Sequence, residues 1–138
     1  MIVLDASFIV KLVLEEDGSG VAEKLFREWV RRGEQVVTVD IALSETLNAL
    51  WKHYLFFKDI NLDALREALK DLLILWNKLT IVSTQEVAED SLELAVKENI
   101  AIYDSLYIAL AQHYMAALAT FDTKQREKAL KLGLKTYP

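Results

Sequence analysis

At 138 residues the chain is long enough for one domain with a sizeable core, and its 53% apolar and 27% charged residues give the balance of a folded, soluble protein. Sixteen basic against twenty-one acidic residues leave a formal charge of −5, so the chain as a whole does not attract a phosphate backbone. Cys is absent and only two His occur, which excludes disulfides and thiolate metal sites and leaves little for zinc. No apolar run reaches the roughly 18–20 residues of a membrane span, and no basic-then-apolar leader opens the chain, so a cytoplasmic location is expected.

The first predicted element is a short strand at Ile2–Leu4, which ends on Asp5. Further strands are predicted at Val36–Val39, Leu79–Val82, Ala117–Thr120 and Leu134–Thr136, each short and poor in charge, as parallel strands covered on both faces are. Between them run helical patterns. Val21, Leu25, Trp29 and Val30 recur at helical spacing before Gly33, a C-terminal stop. Leu43, Leu47, Leu50 and Tyr54 would line one face of a helix from about Ile41 to Phe57. Asn61 can cap a helix through Trp76 with an apolar stripe of Leu62, Leu65, Leu69, Leu72 and Leu73. Ser83 to Glu86 fits a capping box before a helix to about Glu98. Two more helices are predicted at Tyr103–Tyr114 and Thr123–Leu132, the last stopped by Gly133.

Strands alternating with helices predict an α/β sandwich with a parallel sheet and right-handed crossovers, whose ligands gather at the carboxyl ends of the strands. Asp5, Asp40 and Asp122 all fall at that edge. Taken singly, each is also a good helix N-cap, and Asp40 is read as the cap of the helix that follows it. Glu45 and Asp104 resist that reading. Glu45 lies too deep in its helix to cap it, and Asp104 opens a helix that is almost wholly apolar through Leu110. Carboxylates gathered at one place would repel one another and be driven neutral, unless a hard divalent cation such as Mg²⁺ or Mn²⁺ stood among them. Such an ion also supplies the positive charge that phosphodiester chemistry needs.

With these residues in hand the chain resembles the PIN-domain nucleases, and among them the VapC-type toxins of toxin–antitoxin pairs. "IVLDAS" is similar to the family's first motif and contributes Asp5, with Ser7 beside it; "SETLNAL" is similar to the second, with Glu45. "YDSLYIALA" is similar to the third, with Asp104, and "LATFDT" to the fourth, with Thr120 and Asp122. The resemblance implies a three-layer α/β/α sandwich over residues 1–138 as a single domain. It also implies Mg²⁺- or Mn²⁺-dependent endoribonuclease activity, a homodimer and a small antitoxin partner whose tail covers the active site. Asp5, Asp104 and Asp122 are then the expected metal ligands, direct or through water, and Glu45 binds a second ion or positions the attacking water. Ser7 and Thr120 orient the carboxylates or simply cap turns. The chain departs from the pattern after Asp122-Thr123, where some relatives carry a further acid and Lys124, Gln125 and Arg126 stand here. That departure leaves the second ion short of a ligand.

Lys124 and Arg126 are the basic residues placed to reach phosphate, against a default of solvated helix-face charges. His53 and His113 are read as structural or surface residues, and "WKHYLFF" at Trp51–Phe57 as core, dimer face or partner groove. The rival reading is an RNA- or protein-binding module with this fold and little catalysis. A haloacid-type phosphatase would want an Asp where Ser7 stands, and a receiver domain an Asp after the middle strand, where Thr80–Ser83 has none.

Overall fold

The computed structural model describes residues 1–138. Strand β1 (Ile2–Leu4) leads into α1 (Ala6–Val13) and α2 (Ser19–Arg31), and β2 (Val36–Val39) into α3 (Ile41–Lys52). A π-helical turn over His53–Phe57 extends α3, and α4 (Leu62–Trp76) then returns to β3 (Thr80–Val82). After a 3₁₀ turn at Thr84–Val87 come α5 (Ala88–Glu98), α6 (Ile102–His113), β4 (Ala117–Ala119), α7 (Thr123–Lys131) and β5 (Thr136–Tyr137).

The strands form one parallel sheet in the order β3-β2-β1-β4-β5, with Val3 opposite Val37 on one side and Leu118 on the other. The order reverses between β1 and β4, the place where a parallel sheet leaves a crevice at its carboxyl edge. Every residue of β1, β2 and β4 is buried because helices cover both faces. Helix α1 sits against α2, α3 and α4 in one layer, and α6 lies with α5 across β1, β2 and β4 in the other. The α/β/α sandwich expected from the sequence is therefore the fold.

Single residues set the starts of two helices. Asn61 accepts from the Ala64 amide at 2.8 Å and starts α4, which runs to Trp76. Gly18 enters α2 with φ +90, beneath the Phe121 ring, where an added Cβ would stand 2.8 Å from a ring carbon.

The predicted apolar stripes are corrected. In α3 the buried residues are Ala42, Thr46 and Leu50, whereas Leu47 is 40% exposed. In α4 they are Ala68, Leu72 and Leu75, and Leu62, Leu69 and Leu73 face outward. In α2, Ala22 and Trp29 are buried while Val21 and Val30 are exposed. Each helix turns a face with a small residue toward the core, because Ala allows close approach of neighbouring elements and the bulkier Leu and Val do not.

Two caps also differ. The Asp40 side chain makes no cap bond to α3; it accepts from the amide and hydroxyl of Thr84 and ties the tip of β2 to the turn after β3. Ser83 caps that 3₁₀ turn through the Gln85 amide at 3.2 Å, and α5 starts only at Ala88, so no capping box opens it. The last strand is Thr136–Tyr137, because Gly133 and Leu134 are spent closing α7 through bonds to Leu130 and Ala129.

Candidate active site

Asp5 is drawn into the sheet edge by its own backbone, whose amide continues the β1–β4 ladder to the Ala119 carbonyl at 3.1 Å. Its carboxylate is 4% exposed and accepts three hydrogen bonds, from the Phe8 amide at 2.8 Å, Ser7 Oγ at 2.7 Å and Thr120 Oγ1 at 2.5 Å. Asp5 thus caps α1 and lies in the crevice at once; the two readings of the sequence are not alternatives. Ser7 Oγ also accepts from the Phe121 amide at 2.8 Å, and Thr120 Oγ1 from the Asp122 amide at 3.0 Å. These two hydroxyls therefore stitch the tips of β1 and β4 together and fix how Asp5 is presented.

Asp122 follows the same double pattern on the other strand. It is exposed and caps α7 through the Gln125 amide at 2.9 Å. The Gln125 side chain does not return the bond; it donates to the Asp104 carbonyl at 3.3 Å, fastening α7 to the first turn of α6. Asp104 is thereby held beside Asp122. Glu45, on the second turn of α3, is half-buried and accepts from the Tyr107 hydroxyl at 2.7 Å.

Repulsion links these acids in pairs: Asp122 with Asp5, Asp122 with Asp104, and Asp104 with Glu45. Burial pushes Asp5 up to about 6 despite its three donors, and the charge of Asp122 adds to the rise. Asp104 is raised by burial and then by Asp122, and Glu45 by burial and by Asp104, against the lowering effect of Tyr107. Asp5, Glu45 and Asp104 are each pushed up in part by another member of the set.

The donor set is all hard oxygen and its net sign is negative, which fits a hard divalent cation. No three Asp, Glu, His or Cys side chains enclose one point, so an ion here would be held by few carboxylates and completed by water, as Mg²⁺ accepts. Of the basic residues expected near the acids, Lys124 is exposed and lines a cleft with Asp104. Arg126 instead directs Nη2 at the Thr120 carbonyl at 3.4 Å with its Nε buried, a brace for the β4 tip.

A family model for the PIN domain matches residues 2–131. The chain belongs to the PIN-domain family. It is similar to Ribonuclease VapC3 of Pyrobaculum aerophilum, 33% identical over 127 residues, which cover 92% of this chain and 93% of that protein. Among solved structures it is similar to Mycobacterium tuberculosis VapC20, a sarcin-ricin loop cleaving toxin, with TM-score 0.68 and 18% identity over 93% of this chain and 95% of that one. It is also similar to the VapBC2 structure of Rickettsia felis, bound to a promoter DNA fragment, with TM-score 0.66 and 16% identity over the whole of both chains. The likeness to the solved structures is one of fold.

One residue of this PIN domain's site escaped the sequence reading. Tyr107 is 2% exposed and lies one turn after Asp104 on α6. Burial and the adjacent Glu45 hold its phenol far above the ordinary range, so it remains a donor. The available signal was a hydroxyl within the buried run Leu106–Ala111, which must find a partner when buried.

Proposed function

We propose that this PIN domain, residues 1–138 acting as one unit, is a divalent-metal-dependent endoribonuclease and the toxin of a toxin–antitoxin pair. The observation that supports it is the gathering of Asp5, Glu45, Asp104 and Asp122 from separate segments at the sheet's carboxyl edge, where the charge of Asp122 adds to the raised pKa of Asp5 and Asp104, and that of Asp104 to the raised pKa of Glu45. A Mg²⁺ or Mn²⁺ ion, when bound, would supply charge neutralisation and polarise both the phosphodiester and a water molecule. Asp5, Asp104 and Asp122 would hold it, in part through water. Ser7 and Thr120 keep the Asp5 carboxylate from rotating. Glu45, with Oε1 held by Tyr107, has Oε2 free to orient water or a second ion. The similarity to a protein named a ribonuclease supports RNA as the substrate.

The exposed surface supports a protein partner. Leu47, Trp51 and Leu55 recur at helical spacing and continue into Phe56 and Phe57, all exposed, while α4 adds Leu62, Leu69 and Leu73. An apolar face of that size marks an interface, for an antitoxin helix or a second copy of the chain. The fold neighbours that include VapBC pairs support the antitoxin.

The test is cleavage of RNA in Mn²⁺ or Mg²⁺, with EDTA and Asp104→Asn as controls. Products that persist in both controls overturn the proposal. A second reading, an RNA-binding member of the family with little catalysis, is favoured by the absence of any three-carboxylate enclosure. It predicts RNA binding that survives Asp104→Asn and no metal-dependent products.

A further inference from the structure

Two clefts open beside the acids. One, of about 290 Å³, lies between α1 and α3 and is lined by Ser7, Val10, Glu45, Asn48 and Lys52. The other, of about 180 Å³, lies between α6 and α7, with Asp104, Lys124 and Lys128 in its walls. Each runs from a carboxylate of the site to a lysine.

Most cations in the neighbourhood are already engaged. Lys128 pairs with Glu98 at 3.2 Å, and Lys11 on α1 is held by Glu16 at 3.0 Å and by the Asp17 carbonyl at 2.6 Å. Arg126 faces the Thr120 carbonyl. Lys52 and Lys124 are exposed and have no carboxylate within ion-pair distance. In a chain of net charge −5, unpaired cations at both ends of an acidic site are the local reversal of sign that binding a polyanion requires.

Helical spacing aligns the residues of the first cleft. Glu45, Asn48, Ala49 and Lys52 recur at i, i+3, i+4 and i+7, so they share one face of α3. Seven residues of helix separate Glu45 from Lys52 by about 10 Å. That distance suits a phosphate next to the scissile one rather than the scissile one itself. Val10 and Ala49 give the cleft apolar walls.

The geometry points to a path for single-stranded RNA that enters between α1 and α3, crosses the acids and leaves between α6 and α7. Lys52 and Lys124 hold the phosphates on either side of the scissile one, and Asn48 hydrogen-bonds the strand between Glu45 and Lys52. This path rests on the nuclease reading above and supplies it with residues that contact the substrate outside the reacting atoms.

The experiment is fluorescence anisotropy of a short labelled single-stranded RNA across a salt series, in Mn²⁺, on an Asp104→Asn background that prevents cleavage. Lys52→Ala should weaken binding at low salt about fivefold and lower the slope of log Kobs against log salt by about 0.7, the value for one single-strand phosphate contact. Lys52→Arg should restore both, Lys124→Ala should act like Lys52→Ala, and the double variant should roughly double the loss of slope. Asn48→Ala should weaken binding at an unchanged slope. Lys70→Ala, an exposed change on α4, should do neither. A parent that does not bind the RNA, or a Lys52→Ala protein with the parent's slope and affinity, overturns the path. Metal-dependent cleavage with KM unchanged in Lys52→Ala would sink the path and leave the nuclease standing. Lys52-dependent binding without any metal-dependent product would do the reverse.

Discussion

Replacing Asp5 by Asn should make the metal-free protein more stable at alkaline pH, although it removes a residue of the proposed catalytic set. Asp5 is 4% exposed, and its burial raises its pKa from the ordinary 3.8 to about 6. At 1.36 kcal/mol per pH unit, keeping it ionised in the folded state above pH 6 costs about 3 kcal/mol. Because the folded-state value is the higher one, this contribution favours folding fully below 3.8 and is lost as pH rises through about 6. The isosteric amide never ionises, so the variant lacks this pH dependence. It retains the Phe8 amide bond, and its NH₂ turns Thr120 Oγ1 from donor to acceptor, where that oxygen already receives the Asp122 amide at 3.0 Å. One weakened bond of about 1 kcal/mol leaves a net gain of about 2 kcal/mol above pH 6 and a loss of about 1 kcal/mol near pH 4. Urea unfolding of both proteins in EDTA at several pH values measures the difference, with titration of all other groups cancelling between them. A variant less stable than the parent at pH 8, or a difference that does not change across the window, would refute the claim that Asp5 is a strained, buried anion awaiting a cation.

Tyr107→Phe removes the bond to Glu45 but keeps the ring in the core; stability should change by no more than about 1 kcal/mol, while kcat in Mn²⁺ falls roughly tenfold at unchanged KM. A kcat equal to the parent's would show that Glu45 needs no anchor. Leu72→Ala should cost about 2–5 kcal/mol in denaturant unfolding, whereas Leu73→Ala, at 47% exposure, should stay within about 1 kcal/mol. Equal costs would mean that α4 buries a different face. Phe56→Ser with Phe57→Ser should leave the unfolding midpoint nearly unchanged and abolish self-association or antitoxin binding in light scattering and pull-down assays. Assembly that survives would move the interface elsewhere.

Much of this molecule is determined within a few residues of chain. Asn61 and Ala64 are three apart, Asp5 and Phe8 likewise, and so are Asp122 and Gln125; each bond is decided by local geometry before any tertiary contact forms. Short apolar strands between helical segments specify the parallel sheet, and strand ends occupied by Asp put acids at its carboxyl edge. Tertiary structure decided what depends on distant partners. Tyr107 meets Glu45 across 62 positions and Asp40 meets Thr84 across 44, pairings that no spacing rule encodes. It also decided which sides of α3 and α4 turn inward, because the leucine stripe of each helix overlaps its buried face only in part, and the neighbouring layer selects the Ala-bearing face that allows close packing.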